Sequence, residues 1–453
     1  MAAMAGMLQQ SGYNVRGSDS HVYPPMSDFL NRLNIEVRDG YKPENLEPRP
    51  DLVIVGNVIT RINPESQHLA TTDIPYISFP QALAHYYITS RTSLVVTGTH
   101  GKTTTCSLLA TALYRANLDP TFMIGGILPE FGGNFRIGNG DYFVAEGDEY
   151  DTAFFDKVSK FLYYQPQISI ITSIEFDHAD IFNDLEAIKD SFKRYVALMP
   201  KDGLLIANLD DANVREVIRE APCRTVGYGL SKAYDWSLDS IRYAGGKTHF
   251  SAILKGELFG EFSIRLPGRH NCLNSLSVIA MLHHLGLSPD VINDGLATFG
   301  GVKRRQEVRG IEAGVTVIDD FAHHPTAVKE TVSALRQAYA DQRLVVVFEP
   351  RTNTSRRSIF QQEYAMAFDG ADLICLREPM PLTTVSKDEH FSSSRLAEDL
   401  CRNRGLNAAA YADTDCILHY LEQTLTSGDV VAILSNGGFD NIHNRLLEML
   451  KKR

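Results

Sequence analysis

The sequence predicts an α/β protein of three domains, and three observations support that prediction. Short apolar runs alternate with helix-forming runs along most of the 453 residues, as in doubly wound parallel sheets. A chain of this length has room for about three domains of ~150 residues each. The run TGTHGKTTT (residues 97–105, the phosphate loop below) follows an apolar strand and precedes a helix-forming run. Strand, glycine loop and helix in that order are typical of a phosphate-binding site.

The composition excludes several classes of protein. The formal net charge is −11, which argues against nucleic acid as a partner because phosphate contacts need clustered Lys and Arg. No apolar run reaches ~18 residues, so we expect no membrane span. The six cysteines are scattered without CxxC spacing, and we expect free thiols and a cytoplasmic location.

The first predicted domain covers residues 1–90. Its predicted elements are a helix at Met1–Ser11, a strand at Tyr13–Arg16, a helix at Met26–Leu33 and a strand at Asp51–Gly56. A Rossmann-like half should open with a strand and a Gly-rich turn, but this chain opens on the helix. We therefore expect a Rossmann-like domain truncated at its start: either the start is assigned too far downstream, or the domain has lost its first strand.

The second predicted domain covers residues 91–305 and contains the phosphate loop. Apolar runs predict strands at Ser93–Val96, Tyr142–Ala145 and Ile168–Thr172. Helices are expected at Cys106–Ala116 and Asn274–His284, and a polar β-rich stretch at Ile241–Leu266. The third domain, residues 306–453, repeats the strand–helix alternation. Its predicted elements are Val315–Ile318, Pro325–Ala338, Arg343–Phe348, Asp372–Leu376 and Asp429–Leu434.

The phosphate loop predicts binding of ATP and Mg²⁺. Lys102 is expected to reach the outer phosphates, and the Thr103 hydroxyl to face Mg²⁺. The general pattern requires a glycine five residues before Gly101, where Val96 stands, so this is a compact variant. The candidate ATP-binding residues of the loop are Gly98, Thr99, His100, Gly101, Lys102, Thr103 and Thr104.

Two acidic clusters follow predicted strands, at the carboxyl edge where ligands of parallel sheets bind. EGDEYD (residues 146–151) offers Glu146 as an oxygen ligand for Mg²⁺, although four acids in six residues also suit a solvated loop. In IEFDHAD (residues 174–180), His178 could bind a second divalent ion or its water, whereas a lone histidine is more often structural.

Further candidates lie downstream. Asn271 and Asn274 carry side-chain amides that suit an adenine edge, although such residues also cap helices. Arg305 could neutralise a transferring phosphoryl group, and Asp320 could accept from ribose hydroxyls, with a plain charged face as the alternative. Arg351 follows a buried strand and suits bidentate capture of a carboxylate.

Taken together, these motifs resemble the Mur ligase family. The segments that carry the resemblance, in the family's order and across residues 91–440, are TGTHGKTTT, EGDEYD, IEFDHAD, GRHNCLN (268–274), RRQE (304–307) with DDFAHHPT (319–326), and SNGGF (435–439). The resemblance implies a UDP-sugar-binding domain, a central ATPase domain and a C-terminal domain that binds the amino acid or peptide.

Within that family the likeness is greatest to ligases of peptidoglycan recycling. The segments that indicate it are Val22–Ser27, Glu149–Lys157, Glu349–Thr354 and Ser435–Phe439. The implied reaction joins L-alanyl-γ-D-glutamyl-meso-diaminopimelate to UDP-N-acetylmuramate through an acyl phosphate, with ATP and Mg²⁺. Three alternatives stay open: the L-alanine-adding relative, an inactive nucleotide-binding homologue, and a folylpolyglutamate synthetase-like ligase, against which residues 1–90 argue.

The resemblance also implies roles for individual residues. Catalysis would rest on Lys102, Glu146, His178 and Arg305, with metal held by Thr103, Glu146 and His178. Substrate contacts are expected at Ser18, Asp19, Asn57, His323, Arg351 and Asn436.

This chain departs from the family's motifs at Ser173 and Gly147, and one family feature has no counterpart in it. Ser173 stands where Asn is expected near the adenine, a shorter reach that predicts a lost contact. Gly147 stands where Ala is usual, and we expect it only to loosen the turn. The carbamylated lysine of later-acting members has no clear counterpart.

Overall fold

The computed structural model describes residues 1–22, 26–382 and 386–453, so Tyr23, Pro24 and Pro25 of the segment Val22–Ser27 lie outside the described residues. The chain forms two compact units. The first comprises Met1–Ile174, Glu186–Gly227 and Ala280–Gly286, and the second comprises Glu175–Leu185, Tyr228–Ile279 and Leu287–Arg453. Among the described residues, no helix has both the length and the apolar character needed to cross a bilayer.

The first ninety residues alternate helices and strands, as the sequence predicts. The elements are α1 (Ala2–Gln10), β1 (Arg16–Asp19), α2 (Met26–Arg32), β2 (Glu36–Asp39), β3 (Val53–Val55), α3 (Pro64–Leu69), β4 (Tyr76–Ser78) and α4 (Phe79–Leu83). Strand β1 pairs in parallel with β2, and β3 pairs in parallel with β4. Among the described strands, β1 and β3 are each paired along one edge only.

The strand predicted at Tyr13–Arg16 is misplaced by three residues, and the end of α1 explains the shift. The backbone N–H of Tyr13 donates to the carbonyl of Leu8, and that of Val15 donates to Gln9 Oε1. Residues 13–15 therefore close the helix rather than pair in a sheet. Strand β1 begins only at Arg16.

The rest of the first unit is built on a mostly parallel sheet. Its elements are β5 (Thr92–Thr97), α5 (Lys102–Arg115), β6 (Thr121–Leu128), β7 (Gly133–Arg136), β8 (Tyr142–Gly147), β9 (Asp151–Ala153), β10 (Asp156–Ser159), β11 (Ile168–Ile171), α6 (Leu185–Val196), β12 (Leu204–Asn208), α7 (Ala212–Val217) and β13 (Arg224–Gly229). The order β12-β11-β5-β8-β6 is parallel throughout, and β7 runs antiparallel to β6. This order places the carboxyl ends of β5 and β8 side by side.

Helix α5 begins four residues earlier than the run Cys106–Ala116 suggests. Gly101 has φ 81°, a left-handed conformation that glycine adopts without strain, so the loop ends there and the helix starts at Lys102. Every residue from Thr103 to Leu113 is buried. A helix buried on all sides shows no amphipathic period, which is why the sequence placed its start poorly.

The second unit contains a three-stranded antiparallel meander and a six-stranded sheet. Its elements are β14 (Trp236–Ala244), β15 (Lys247–Leu254), β16 (Glu257–Ile264), α8 (Arg269–His284), α9 (Pro289–Thr298), β17 (Glu307–Glu312), β18 (Val315–Asp320), α10 (Pro325–Ala338), β19 (Leu344–Phe348), α11 (Gln361–Tyr364), β20 (Leu373–Arg377), α12 (Ser393–Arg404), β21 (Ala408–Tyr411), α13 (Thr414–Thr424), β22 (Val430–Leu434) and α14 (Ile442–Lys451). Part of α8 belongs to the first unit. The meander confirms the β-rich stretch that the sequence predicts.

The six-stranded sheet has the order β17-β18-β22-β19-β20-β21, and only β17 is antiparallel. Side chains of β19 alternate between two buried cores. Leu344, Val346 and Phe348 face one core, and Val345 and Val347 face the other. Such an apolar strand, buried on both faces, is expected in a doubly wound sheet. The carboxyl ends of β18, β19, β20 and β22 lie at one edge.

Candidate functional site

The phosphate loop is shaped by two glycines. Gly98 has φ 130°, and a methyl group on it would lie 2.2 Å from Thr172 Oγ1 and 2.8 Å from the backbone N of Ser173. Gly101 has φ 81° and directly precedes α5. The positive φ values of Gly98 and Gly101 strain any residue with a side chain. At Gly98 a side chain would also collide with Thr172. The loop is therefore held tightly between β5 and the end of β11.

Ser173 fixes the first half of this loop. The N–H of Thr99 donates to the Ser173 carbonyl at 2.8 Å, and the N–H of His100 donates to Ser173 Oγ at 3.1 Å. The Thr172 hydroxyl donates to the His100 carbonyl. The short serine side chain is thus part of the loop's own bonding.

Lys102, the expected phosphate ligand, is paired with an acid that the sequence did not single out. Its Nζ lies 2.9 Å and 3.1 Å from the two carboxylate oxygens of Glu149 and also donates to the carbonyls of Gly98 and Thr99. Glu149 is 2 % exposed and Lys102 is 12 % exposed. Burial alone would lower the pKa of Lys102, but the charges of Glu149 and other acids outweigh it and raise that pKa.

The Thr103 hydroxyl and Glu146 lie together, as the strand-end argument predicts. Thr103 Oγ1 donates to Glu146 Oε1 at 2.9 Å, and the N–H of Gly125 donates to Glu146 Oε2 at 2.7 Å. One hydroxyl and one carboxylate oxygen are the hard ligands that Mg²⁺ selects. The end of β8 supplies Glu146, and the first turn of α5, which follows β5 and the phosphate loop, supplies Thr103.

Asp148, a second acid of the EGDEYD cluster, is paired with a lysine. Asp148 accepts from Lys160 Nζ at 2.7 Å. Burial would raise the pKa of Asp148, but Lys160 and Lys102 outweigh it and lower that pKa to about 2.

A methyl group on Gly147 would lie 2.9 Å from Thr97 Cβ, so the glycine allows the close approach of β8 to β5. The expectation that Gly147 only loosens the turn is therefore wrong.

In the second unit, the segment containing His178 contacts the one containing His323. The carboxylate of Asp177 accepts from the backbone N–H of His178 at 2.7 Å and lies 3.9 Å from His323 Nε2. His178 has φ 55°, a strained value for a residue other than glycine. Burial would raise the pKa of Asp177, but His178, His323 and His324 outweigh it and hold that pKa well below its usual range.

His324 is the N-cap residue of α10. Its Nδ1 accepts from the Thr326 N–H at 3.3 Å, at the start of α10. Its Nε2 lies 3.2 Å from the Phe176 carbonyl, and its Nδ1 also lies 3.4 Å from Glu175 Oε2. Thr326 also donates to Glu175, so two segments of the unit are joined here.

Arg305 precedes β17, and Asp320 is the last residue of β18. The Arg305 guanidinium lies 4.7 Å from the centre of the Phe321 ring. Asp320 is buried and accepts from the N–H groups of Gln306 and Ala322, both at 2.8 Å. Burial raises the pKa of Asp320 in spite of Arg305. Much of the acceptor capacity of Asp320 is therefore used inside the protein.

Asn271 and Asn274 lie in the first turns of α8, which begins at Arg269 rather than at Asn274. The N–H of Asn271 bonds the carbonyl of Gly268, a residue with φ 102° that starts the turn. Asn271 Nδ2 donates to the Pro267 carbonyl at 2.8 Å, and Asn274 Nδ2 lies 3.5 Å from Asn271 Oδ1. Both side chains are buried.

The candidates for the first substrate lie at the end of β1 and after β3. The Ser18 hydroxyl donates to Glu65 at 2.7 Å, and Asp19 accepts from the His21 N–H at 3.2 Å. Asn57 follows β3 and is half-buried. A shallow cavity of about 240 Å³ includes Asp19 in its lining, together with Val22, Ser27, Leu30, Asn31, Val37 and Asp39.

Charged residues also gather at the carboxyl edge of the six-stranded sheet. Glu349 directly follows β19 and lies 2.6 Å from Arg377 Nη1 and 2.6 Å from Ser435 Oγ. Arg351 Nη1 lies 3.8 Å from Glu349. Asn436 Oδ1 is buried and has no hydrogen-bond partner among the described residues. Glu349 and Arg377 were missed, although each ends an apolar strand run as the predicted site residues do.

The fold and the phosphate loop define an α/β nucleotide-binding protein, and comparison with known proteins identifies the family. Three family models match: the Mur ligase family catalytic domain at residues 1–90, the Mur ligase middle domain at 96–282, and the Mur ligase glutamate ligase domain at 304–437. The chain belongs to the Mur ligase family, which confirms the resemblance read from its motifs.

Individual relatives cover the whole chain. The UDP-N-acetylmuramate–L-alanyl-gamma-D-glutamyl-meso-2,6-diaminoheptandioate ligase of Escherichia coli (strain K12) is 38% identical over 100% of this chain and 96% of its own length. A UDP-N-acetylmuramate–L-alanine ligase of Geobacter sp. (strain M21) is 34% identical over 100% and 95%. The crystal structure of a murein peptide ligase from Psychrobacter arcticus superposes with a TM-score of 0.73 at 31% identity, covering 100% of this chain and 97% of that one.

Proposed function

We propose that this chain is an ATP-dependent ligase that joins L-alanyl-γ-D-glutamyl-meso-diaminopimelate to UDP-N-acetylmuramate. Full-length similarity to a relative with that printed activity supports the proposal, at 38% identity against 34% for the L-alanine ligase. The observation that carries it is the phosphate loop, with Lys102 and the Thr103–Glu146 pair in place. The reaction serves peptidoglycan recycling, and because it consumes ATP we place it in the cytoplasm.

The reaction has two steps. A carboxylate oxygen of UDP-N-acetylmuramate attacks the γ-phosphorus of ATP, which gives an acyl phosphate and releases ADP. The peptide's neutral amine then attacks the acyl carbon, the C–O bond to phosphate breaks, and the amine loses a proton as the amide forms. Phosphorylation is needed because a carboxylate alone is a poor acyl donor.

The donor set at the phosphate loop fits Mg²⁺. Thr103 and Glu146 offer hard oxygen atoms 2.9 Å apart, and we assign His178 to a second ion. The bound ion would neutralise charge on the phosphates. Lys102 must exchange Glu149 for a phosphate oxygen, and Arg305 would stabilise charge on the transferring group. Asn271, Asn274 and Asp320 are proposed for adenine and ribose.

The other substrates are assigned by position in the fold. Ser18, Asp19 and Asn57 would contact UDP-N-acetylmuramate, and His323, Arg351 and Asn436 would contact the peptide. We propose domain bounds of 1–90, 91–305 and 306–453. The spans of the three family models, 1–90, 96–282 and 304–437, support these bounds.

The L-alanine-adding activity is the second candidate, because relatives with that name match the full chain at 34% identity. The test is phosphate release from ATP with UDP-N-acetylmuramate, comparing the tripeptide with free L-alanine and using Lys102→Ala as the blank. Tripeptide-dependent release supports the proposal. Release that depends on L-alanine selects the second candidate, and no release with either points to an inactive homologue.

A further inference from the structure

Arg304 joins two distant parts of the second unit. Its Nη2 donates to the carbonyl of Ser435 at 2.5 Å and to the carbonyl of Gly437 at 2.7 Å. These two residues flank Asn436 in the loop that directly follows β22. One guanidinium nitrogen therefore holds the backbone on both sides of a residue that is proposed to contact the peptide.

The loop of residues 435–437 is held by its backbone and by one serine. The N–H of Gly437 donates to Ser435 Oγ at 2.9 Å, and Ser435 Oγ donates to Glu349 at 2.6 Å. In contrast, Asn436 Oδ1 has no hydrogen-bond partner in the part of the chain that the structure describes. Gly437 also packs against Arg351, since a methyl group on it would lie 2.2 Å from Arg351 Cδ. A shift of this loop would therefore move Asn436 and disturb Arg351, both of which are proposed for the peptide.

Arg304 is itself fixed in position. Its Nε lies 3.4 Å from Asp319 Oδ1, a carboxylate that is 2% exposed, and its Cζ lies 5.2 Å from the centre of the Phe321 ring. Its backbone has φ 63°, a strained value for a residue other than glycine. The N–H of Arg304 donates to Glu307 Oε2 at 2.8 Å, and its carbonyl accepts from the Phe321 N–H at 2.9 Å. Strain of this kind persists only where the surroundings determine the conformation, and it is concentrated at functional sites.

Arg309 shares the ion pair of Arg304 but does not share its contact with the loop. Both arginine side chains are 31% exposed, and Arg309 Nη1 lies 3.2 Å from Asp319 Oδ2. The Nη2 of Arg309 lies 3.4 Å from Asn444 Oδ1 on α14 instead. When Arg304 is replaced, Asp319 therefore keeps a cationic partner, whereas the loop of residues 435–437 loses the donor to its two carbonyls.

We propose that Arg304 is a positioning residue for the amine donor: its guanidinium, held by Asp319, fixes the loop of residues 435–437 and so places Asn436 for contact with the peptide. The proposal rests on the proposed function, which assigns Asn436 to the peptide. Arg304 acts through the loop and does not touch the substrate. Because the adjacent Arg305 is assigned to the transferring phosphoryl group, the test measures the two steps of the reaction separately.

The first measurement compares steady-state turnover of Arg304→Gln with that of the matched control Arg309→Gln. Arg304→Gln removes charge-assisted hydrogen bonds to two carbonyls, so kcat/KM for the tripeptide should fall by roughly 10- to 100-fold. Arg309→Gln removes only a partly exposed ion pair and should stay within about 3-fold of the wild type. KM for ATP should change by less than about 3-fold in both variants, because neither side chain contacts the nucleotide in this proposal.

The second measurement follows the first step alone, as transfer of label from ADP into ATP with UDP-N-acetylmuramate present and the tripeptide absent. Label enters ATP only when the acyl phosphate forms and then returns its phosphoryl group to labelled ADP. A residue that merely stabilised the fold would slow both steps together. Arg304→Gln should instead exchange label within about 3-fold of the wild-type rate.

Arg304→Lys serves as a second variant if the glutamine variant does not fold. Lysine keeps a positive charge for Asp319 and a donor for the loop, but it lacks the fork of the guanidinium. Its loss of kcat/KM for the tripeptide should therefore be smaller, roughly 3- to 10-fold. Circular dichroism and thermal unfolding check that each variant is folded.

Each outcome has one meaning. A wild-type kcat/KM for the tripeptide in folded Arg304→Gln, with an active wild type, overturns this inference alone. If that variant does not fold, a wild-type value in Arg304→Lys overturns it in the same way. An equal fall in Arg309→Gln assigns the effect to the ion pairs of Asp319, and slow label exchange assigns it to phosphoryl transfer, so either result also overturns the inference. A wild type without tripeptide-dependent turnover overturns the proposed function, and this inference with it.

Discussion

Replacing Glu149 with glutamine should make the ligand-free protein less stable and at the same time tighten its binding of ADP. Glu149 holds the Lys102 ammonium at 2.9 Å and 3.1 Å and is 2 % exposed. In the ligand-free chain the acid satisfies a nearly buried charge. When a nucleotide binds, the same acid repels the phosphates and competes with them for Lys102.

The two effects can be sized separately. Removing one partner of a buried ion pair costs about 3–5 kcal/mol. Glutamine keeps a neutral acceptor, which recovers about 1 kcal/mol, so a net loss of roughly 2–4 kcal/mol is expected. For ADP, removing a unit charge about 6 Å from a phosphate at an effective dielectric of ~20 is worth about 3 kcal/mol before salt screening. After screening, ADP should bind roughly 10-fold more tightly.

The assay is thermal unfolding without ligand, together with calorimetric titration of ADP in Mg²⁺. Glu398→Gln is the control, because that acid is 64% exposed and its pair with Arg402 is 3.7 Å long, so both readings should stay near wild type. The reasoning is refuted if Glu149→Gln unfolds at the wild-type temperature. It is equally refuted if the variant binds ADP more weakly.

Four further results are expected. Thr103→Val, which removes the hydroxyl bonded to Glu146, should lower phosphate release by at least about 100-fold with unchanged circular dichroism. Asp148→Asn should lower the unfolding temperature at neutral pH. Because Lys160 helps to lower the pKa of Asp148 to about 2, this contribution is present above the ordinary carboxylate pKa of about 4 and is lost as the pH falls toward 2, so wild type and variant should converge in acid. Phe192→Ala should reduce the free energy of unfolding by about 3–5 kcal/mol in urea, since the ring is fully buried. ADP titrated in EDTA should bind at least about 10-fold more weakly than in Mg²⁺, because the ion offsets phosphate charge.

Elements with strong local signals were predicted well. Helix α10 has the predicted bounds, Pro325–Ala338, because proline at its first turn follows a capping residue, His324. Strand β19 was placed within one residue, since five apolar residues in a row are buried on both faces. The hairpin β9–β10 was not predicted, because its stability depends on distant contacts. Its Ala153 packs into a core formed by residues 46–74.

The candidate site was predicted where topology alone decides proximity. The Thr103–Glu146 contact follows from β5 and β8 being parallel neighbours, since Glu146 lies at the carboxyl end of β8 and the phosphate loop leads from the end of β5 to Thr103 in the first turn of α5. The role of Glu149 could not be predicted in the same way. Four acids in six residues look equivalent in sequence, and only the turn after β8 decides which of them faces Lys102. Gly437 shows the same limit, because its contact with Arg351 joins two distant loops.

The phosphate loop and the loop after β19 differ in how the charge of their basic side chains is balanced. Near the phosphate loop, Glu146, Asp148 and Glu149 carry −3 against +2 from Lys102 and Lys160, which leaves −1. A polyphosphate adds further negative charge to this surplus, so we expect its binding to need a divalent cation and the release of Lys102 from its acid. The loop after β19 is opposite in sign, with the positive charge of Arg351 only weakly compensated. An anion beside Arg351 would therefore need no metal ion to offset acidic side chains, because the contact of Arg351 with Glu349 is long, at 3.8 Å.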